Sequence, residues 1–185
     1  AYSLIKDIFK ADYTSEMDGE KIYFDERHWV KLMYGSSGQQ EVLWILMLAF
    51  IIILEKKKSF VIIEEPEAHL FPLAQKKVVD LLALMSNSTG SSVVITTHSP
   101  YILTSLNILL YSDKIETRFK GKNGTVIPKS LRLPFEKFAA FKLTGESDSP
   151  ISLLDAESHM IDTDYIDEVS SLTNKELEEL MEMEG

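Results

Sequence analysis

Two short β-branched runs constrain this chain more than any other feature. They are Ser59-Phe60-Val61-Ile62-Ile63 and Val93-Val94-Ile95-Thr96-Thr97. Between them, Pro72 to Met85 carries an apolar stripe of Leu73, Val78, Leu81, Leu82 and Met85, which predicts a helix, and Asn87 to Ser92 reads as a loop. A second helix is expected over about 101–109. Strand, helix, strand, helix is the α/β pattern, and the helical crossover requires the two strands to run parallel. Strands this apolar are expected to be buried on both faces. In parallel sheets, ligands bind beyond the carboxyl ends of the strands. The polar residues at those ends are Glu64, Glu65 and His98.

The longest apolar run, Val42 to Leu54, has 13 residues. A membrane-spanning helix needs about 20. Gln39, Gln40 and Glu41 precede it and Lys56, Lys57 and Lys58 follow, an order that suits a helix dipole over residues 38–56. A helix apolar on nearly all faces belongs in a core, so we expect this one, with Trp29 and Trp44, to be largely buried. Lys21–Asp25 reads as a strand ahead of it.

With no cysteine among 185 residues, a disulfide framework and a Cys-ligated metal are excluded. No signal peptide is evident at the N-terminus, and these features together suggest a cytoplasmic protein without a membrane partner. The net charge of -10 argues against a surface that coats DNA. That charge is uneven, however: residues 151–185 hold 11 acids and one base, whereas residues 99–150 hold 8 bases and 5 acids. The expected organisation is therefore a body over 1–150 and an acidic segment over 151–185. In the acidic segment, Thr173 and Glu176 form a capping box that opens a terminal helix.

Three elements carry chemistry. In Phe60-Val61-Ile62-Ile63-Glu64-Glu65, two consecutive acids follow a buried strand. Nucleotide hydrolysis needs one acid near Mg²⁺ and another for the attacking water. Glu64 suits the metal and Glu65 the catalytic role. A solvated acidic turn, or Glu67 acting as a helix-dipole partner, is the plainer alternative. In Thr96-Thr97-His98-Ser99-Pro100, His98 is placed to contact a γ-phosphate or simply to cap a helix. In Gly35-Ser36-Ser37-Gly38-Gln39, small residues before a helix let a phosphate approach free N–H groups, or they form an ordinary loop with a Ser cap.

The order of these elements resembles the second half of an ABC-type ATPase. Gly35–Gln39 looks like the signature, Val61–Glu65 like Walker B with the catalytic glutamate, Ala68-His69-Leu70 like the D-loop, and His98 like the switch histidine. The wording EEPEAHLFP and TTHSPYIL is closer to RecF, SMC and OLD-type chromosomal or defence ATPases than to transporter subunits. The resemblance covers roughly residues 30–110. It implies a P-loop NTPase-like α/β lobe, with ATP and Mg²⁺ as cofactors and an ATP-dependent homodimer. Glu65 and His98 would be catalytic, Glu64 would serve the metal, and Ser36, Ser37, Gly38 and Gln39 would complete the partner's ATP site. DNA repair, chromosome handling or anti-phage defence would be the process served. A non-catalytic interaction module and a transporter's nucleotide-binding subunit are the alternatives. Two departures stand out: Glu64 occupies a position usually held by Asp, and the signature has Ser37 where Gly is typical and lacks its first Leu.

A P-loop, GxxxxGK[ST], is absent. The only Gly-Lys pair is Gly121-Lys122, with Glu116 where the opening Gly belongs and Asn123 where Ser or Thr belongs. The simplest expectation is a C-terminal lobe of a longer ATPase whose Walker A half lies elsewhere in the same or another chain. Asn123-Gly124 signals a hairpin over 115–127. Around it, Lys114, Arg118, Lys120, Lys122, Lys129, Arg132, Lys137 and Lys142 form a basic stretch. It suits either contacts with DNA or RNA phosphates or a solvated face. Asp162 and Asp164 form a DxD that is weak support for a nuclease.

Overall fold

A computed structural model describes residues 1–119, 126–143 and 149–163, and the single positions 172, 175 and 181. The chain opens with α1 (Tyr2–Phe9) and an antiparallel sheet of β1 (Asp12–Glu16), β2 (Gly19–Tyr23) and β3 (Trp29–Lys31). Gly19, at φ 121°, makes the β1–β2 turn that a side chain would resist. Then follow α2 (Ser37–Glu55), β4 (Phe60–Glu64), α3 (Pro72–Thr89), β5 (Ser92–Thr96) and α4 (Pro100–Phe119). The short pairs β6 (Phe141–Lys142) with β7 (Ile151–Ser152), and β8 (Leu154–Asp155) with β9 (Met160–Ile161), complete the described chain.

β4 and β5 pair in parallel, with Phe60 opposite Ser92 and Glu64 opposite Thr96. The α/β reading is met at this pair, and α3 is the crossover it requires. Two apolar clusters meet on α3. Val78, Leu81, Leu82 and Met85 join Leu46 and Ile52 of α2, Val61 and Ile63 of β4, and Ile8 and Phe9 of α1. Val79 and Ala83 turn to the other cluster, with Ile102, Leu109 and Leu110 of α4 and Ile161 of β9. Asn107 fixes β9 by donating to the Ile161 carbonyl and accepting from its N–H.

Several expectations are corrected. The strands are not buried on both faces. Val61 and Ile63 are buried while Phe60, Ile62 and Val94 are exposed, because a two-stranded sheet has helices on one face only among the described residues. For the same reason α2 is not largely buried. Val42, Leu43, Leu46, Ala49 and Ile52 enter the core, but Trp44, Leu48, Ile51 and Leu54 do not. By length and composition alone this helix is long and apolar enough to cross a membrane. Here its inner stripe is part of the protein core. Trp29 and Trp44 are half-exposed rather than core residues. Trp29 lies against Tyr23 and the Lys21 ammonium instead.

α3 continues through Asn87–Thr89, where a loop was expected. The Thr89 hydroxyl bonds back to the Met85 carbonyl, and the Asn87 amide holds the carbonyls of Ser130 and Arg132. Gly90, at φ 71°, then ends the helix. α4 runs 20 residues instead of nine, so residues 115–119 are helix rather than hairpin. The Asn123-Gly124 turn, Lys120, Lys122, Asp164 and the Thr173–Glu176 box lie outside the described residues. Two cations of the basic stretch are structural. Arg132 is buried, paired with Glu116 at 3.2 Å and bonded to the Ile127 carbonyl, and Lys114 donates to the carbonyls of Glu157 and Ser158.

The first sheet is anchored by Lys21, whose ammonium is 2.7 Å from Glu16 and 3.0 Å from Asp18. Hydrogen bonds from Lys21 hold both carboxyls below their ordinary range. Depressed folded values mean that this contribution is complete above the ordinary carboxylate range and is lost as pH falls through the folded values. In a Trp44→Phe chain, Trp29 fluorescence should hold steady down to about pH 4 and change below it. Lys21→Met should remove the change, and an identical trace in both chains would contradict this account.

Candidate functional site

The site begins with the turn that leaves β4. Parallel pairing continues one residue past the strand, where the Glu65 N–H donates to the Thr96 carbonyl at 2.9 Å. Glu65 then adopts φ 45°, in the left-handed region that disfavours side chains. The Ala68 N–H returns to the Glu65 carbonyl at 2.9 Å and the Leu70 N–H to that of Glu67 at 3.0 Å. His69 is a second left-handed residue, at φ 56°. Two such residues within five positions store backbone strain of about 1–3 kcal/mol each, a pattern that clusters at functional sites.

This turn presents Glu65 beside the end of β5. Glu65 Oε1 is 3.6 Å from His98 Nε2, and both side chains are open to solvent. Glu64 is exposed on the open face of the sheet, with Phe60 and Ile62. The turn after β4 and the turn after β5 are thus brought together as the sequence pattern required.

A cleft of about 650 Å³ lies between α2 and the open face of β4. Trp44, Leu48 and Ile62 line its apolar part, and Glu41, Glu64 and Glu65 line it with Thr96. Among the described residues, no group of three or more His, Cys, Asp or Glu side chains is arranged to hold a metal ion. Two exposed carboxylates at a strand end nevertheless suit Mg²⁺, which commonly takes one or two carboxylates with the remainder from water and phosphate.

The glycine-serine segment has a defined local role. Ser36 caps α2: its hydroxyl accepts from the Gln39 N–H at 3.2 Å, and Gln39 Oε1 accepts from the Ser36 N–H at 3.3 Å. Ser37 is the first residue of α2. Gly38 is buried, and a Cβ built on it would stand 2.5 Å from the His69 carbonyl oxygen. Ser36, Ser37, Gly38 and Gln39 are not among the residues lining the cleft. The structure therefore joins the signature-like segment to the D-loop-like turn, and from α2 it brings Glu41, Trp44 and Leu48, rather than Ser37–Gln39, to the cleft with Glu64 and Glu65. His69 Nδ1 lies 3.0 Å from Glu41, on the same seam.

Sequence reasoning missed Glu41 and the part played by Glu67. Glu67 is not a helix-dipole partner. It precedes α3 by a full turn and bonds to Thr97 and to the His98 N–H. Its position three residues after Glu64 gave no signal of this, because the partners lie thirty positions away.

The close approach at Gly38 generates a test. Gly38→Ala meets backbone, which cannot swing aside. It should lower stability by about 1–3 kcal/mol in thermal or denaturant unfolding. A stability equal to that of the parent chain would show that the seam is loose.

No curated protein and no solved structure matches the chain. The family model for the AAA ATPase domain does match, over residues 2–103. That span runs from α1 through the first sheet, the cleft and both turns into α4. It covers more than half of the chain, and the chain belongs to the AAA ATPase domain family.

Proposed function

We propose that this chain supplies the signature and Walker B half of a RecF/SMC/OLD-like ATPase. The observation that carries the reading is the pairing of Glu65 and His98, 3.6 Å apart at the ends of adjacent parallel strands. Membership of the AAA ATPase domain family supports ATP binding and hydrolysis in general. The finer assignment rests on the order of Gly35–Gln39, Val61–Glu65, Ala68–Leu70 and His98.

Bound MgATP supplies the phosphoryl group and the cation that offsets its charge. Glu64, exposed at the strand end, suits the cation. Glu65 orients the attacking water and holds its proton on the carboxylate. A carboxylate open to solvent on one side and tied to Thr96 through its own backbone is suited to that role. His98 presents Nε2 toward the terminal phosphate. Ser36, Ser37, Gly38 and Gln39 serve a second copy's nucleotide in an ATP-dependent homodimer.

The missing phosphate cradle belongs, in this reading, to a P-loop lobe of the same or another chain. The exposed Phe60, Ile62 and Val94 and the outer side of α2 support this reading. Such a face is expected where a further layer of an α/β domain packs. The body spans 1–150 and the acidic segment 151–185, and the assembly works in the cytoplasm. DNA or RNA remains a partner through the solvent-facing part of the basic stretch. DNA repair, chromosome handling or defence against phage is the process served.

In the assembly that includes the P-loop lobe, Glu65→Gln should lower ATP turnover by about 10²–10⁴-fold and leave ATP-dependent association intact. Unchanged turnover would overturn the assignment. The 185-residue chain alone should hydrolyse almost no ATP, and turnover equal to that of the assembly would refute the two-lobe reading.

A further inference from the structure

We propose that Glu67 is a positioning residue that sets where His98 stands relative to Glu65. The His98 side chain is nine-tenths exposed, and among the described residues its one polar partner is Glu65, at 3.6 Å. A side chain so little packed is placed by its backbone. That backbone is held by Glu67, whose Oε1 accepts from the His98 N–H at 3.0 Å and from the Thr97 hydroxyl at 2.5 Å. Glu67 lies in the same turn as Glu65, between the Glu65–Ala68 and Glu67–Leu70 hydrogen bonds. One carboxylate therefore ties the turn after β4 to the turn after β5.

A second bridge makes the tie rigid. Thr97 Oγ1 accepts from the Ser99 N–H at 3.0 Å. The Ser99 hydroxyl donates to the buried Gln75 side chain at 2.6 Å, and Gln75 returns a bond to the Leu70 carbonyl at 2.8 Å. Ser99 Oγ also accepts from the N–H groups of Tyr101 and Ile102, which caps α4. The Glu67 link and the Gln75–Ser99 link thus clamp the two turns at two points. The other Glu67 oxygen, Oε2, is buried without a hydrogen-bond partner among the described residues. A buried carboxylate oxygen left in that state is costly, so the bonds made by Oε1 must hold the group in place.

The tie itself follows from these contacts, whereas its effect on turnover rests on the ATPase reading. The readout in the full 185-residue chain is the His98 amide, followed by NMR and hydrogen exchange. A carboxylate acceptor shifts that proton downfield and slows its exchange. Glu67→Ala should speed exchange at His98 about tenfold or more, since an amide loses protection with its acceptor. Glu67→Gln keeps an oxygen acceptor and should restore most of the protection. An unchanged His98 amide in Glu67→Ala overturns the proposal, as does Glu67→Gln behaving like Glu67→Ala.

In the assembly with the P-loop lobe, Glu67→Ala should lower kcat about 10–100-fold, the scale of a small misplacement at a reacting centre, with KM nearly unchanged. Glu67→Gln should recover most of it. Equal kcat losses in both variants would overturn the positioning role. If Glu65→Gln leaves hydrolysis intact, the catalytic assignment of Glu65 fails, and the His98 amide still decides whether the tie exists.

Discussion

The parallel pairing of β4 with β5 is the constraint from which the rest follows. Parallel neighbours cannot be joined by a tight turn, so the chain must leave the sheet and return. α3 makes that journey, and it is buried against α1 and α2 on one side and α4 on the other. The same pairing sends both strands out at one edge. Glu65 and His98 therefore meet, although 33 positions separate them in the chain. The last bond of the ladder, from the Glu65 N–H to the Thr96 carbonyl, sets the start of the turn that carries the acid.

Much of this was legible because the controlling signals are local. Two β-branched runs gave the strands, Pro72 marks the start of α3, and a serine cap opens α2 at Ser36. Burial was misread because it is set by neighbours and not by composition. Ile62 and Trp44 are as apolar as core residues, but only one face of the β4–β5 pair is covered among the described residues. The extension of α3 over Asn87–Thr89 depends on carbonyls contributed by Ser130 and Arg132, which no local pattern reveals. Arg132 resembled a surface cation until Glu116, one helix away, neutralised it.

The candidate site shows the same division. Strand ends identified Glu64, Glu65 and His98 directly. What joins them was not visible, because hydrogen bonds between two turns leave no periodicity. Gly38 illustrates this in another way. A glycine before a helix suggests room for a ligand, but here its missing side chain makes room for the His69 carbonyl. The segment that resembles a signature and the turn that resembles a D-loop are thereby in van der Waals contact, and a shift in one must be met by the other.

The two-stranded sheet also bears on how the molecule behaves in a crowded solution. Each strand has one edge unpaired among the described residues, and Phe60, Ile62 and Val94 lie bare beside those edges. Open edges with apolar flanks recruit strands from other copies, which is the route to aggregation. The sequence counters with 11 acids in its last 35 residues. Like charge of that density keeps copies apart at ordinary ionic strength and does so less as salt screens it. Colloidal stability would then be a property of the tail, while the tendency it opposes belongs to the sheet.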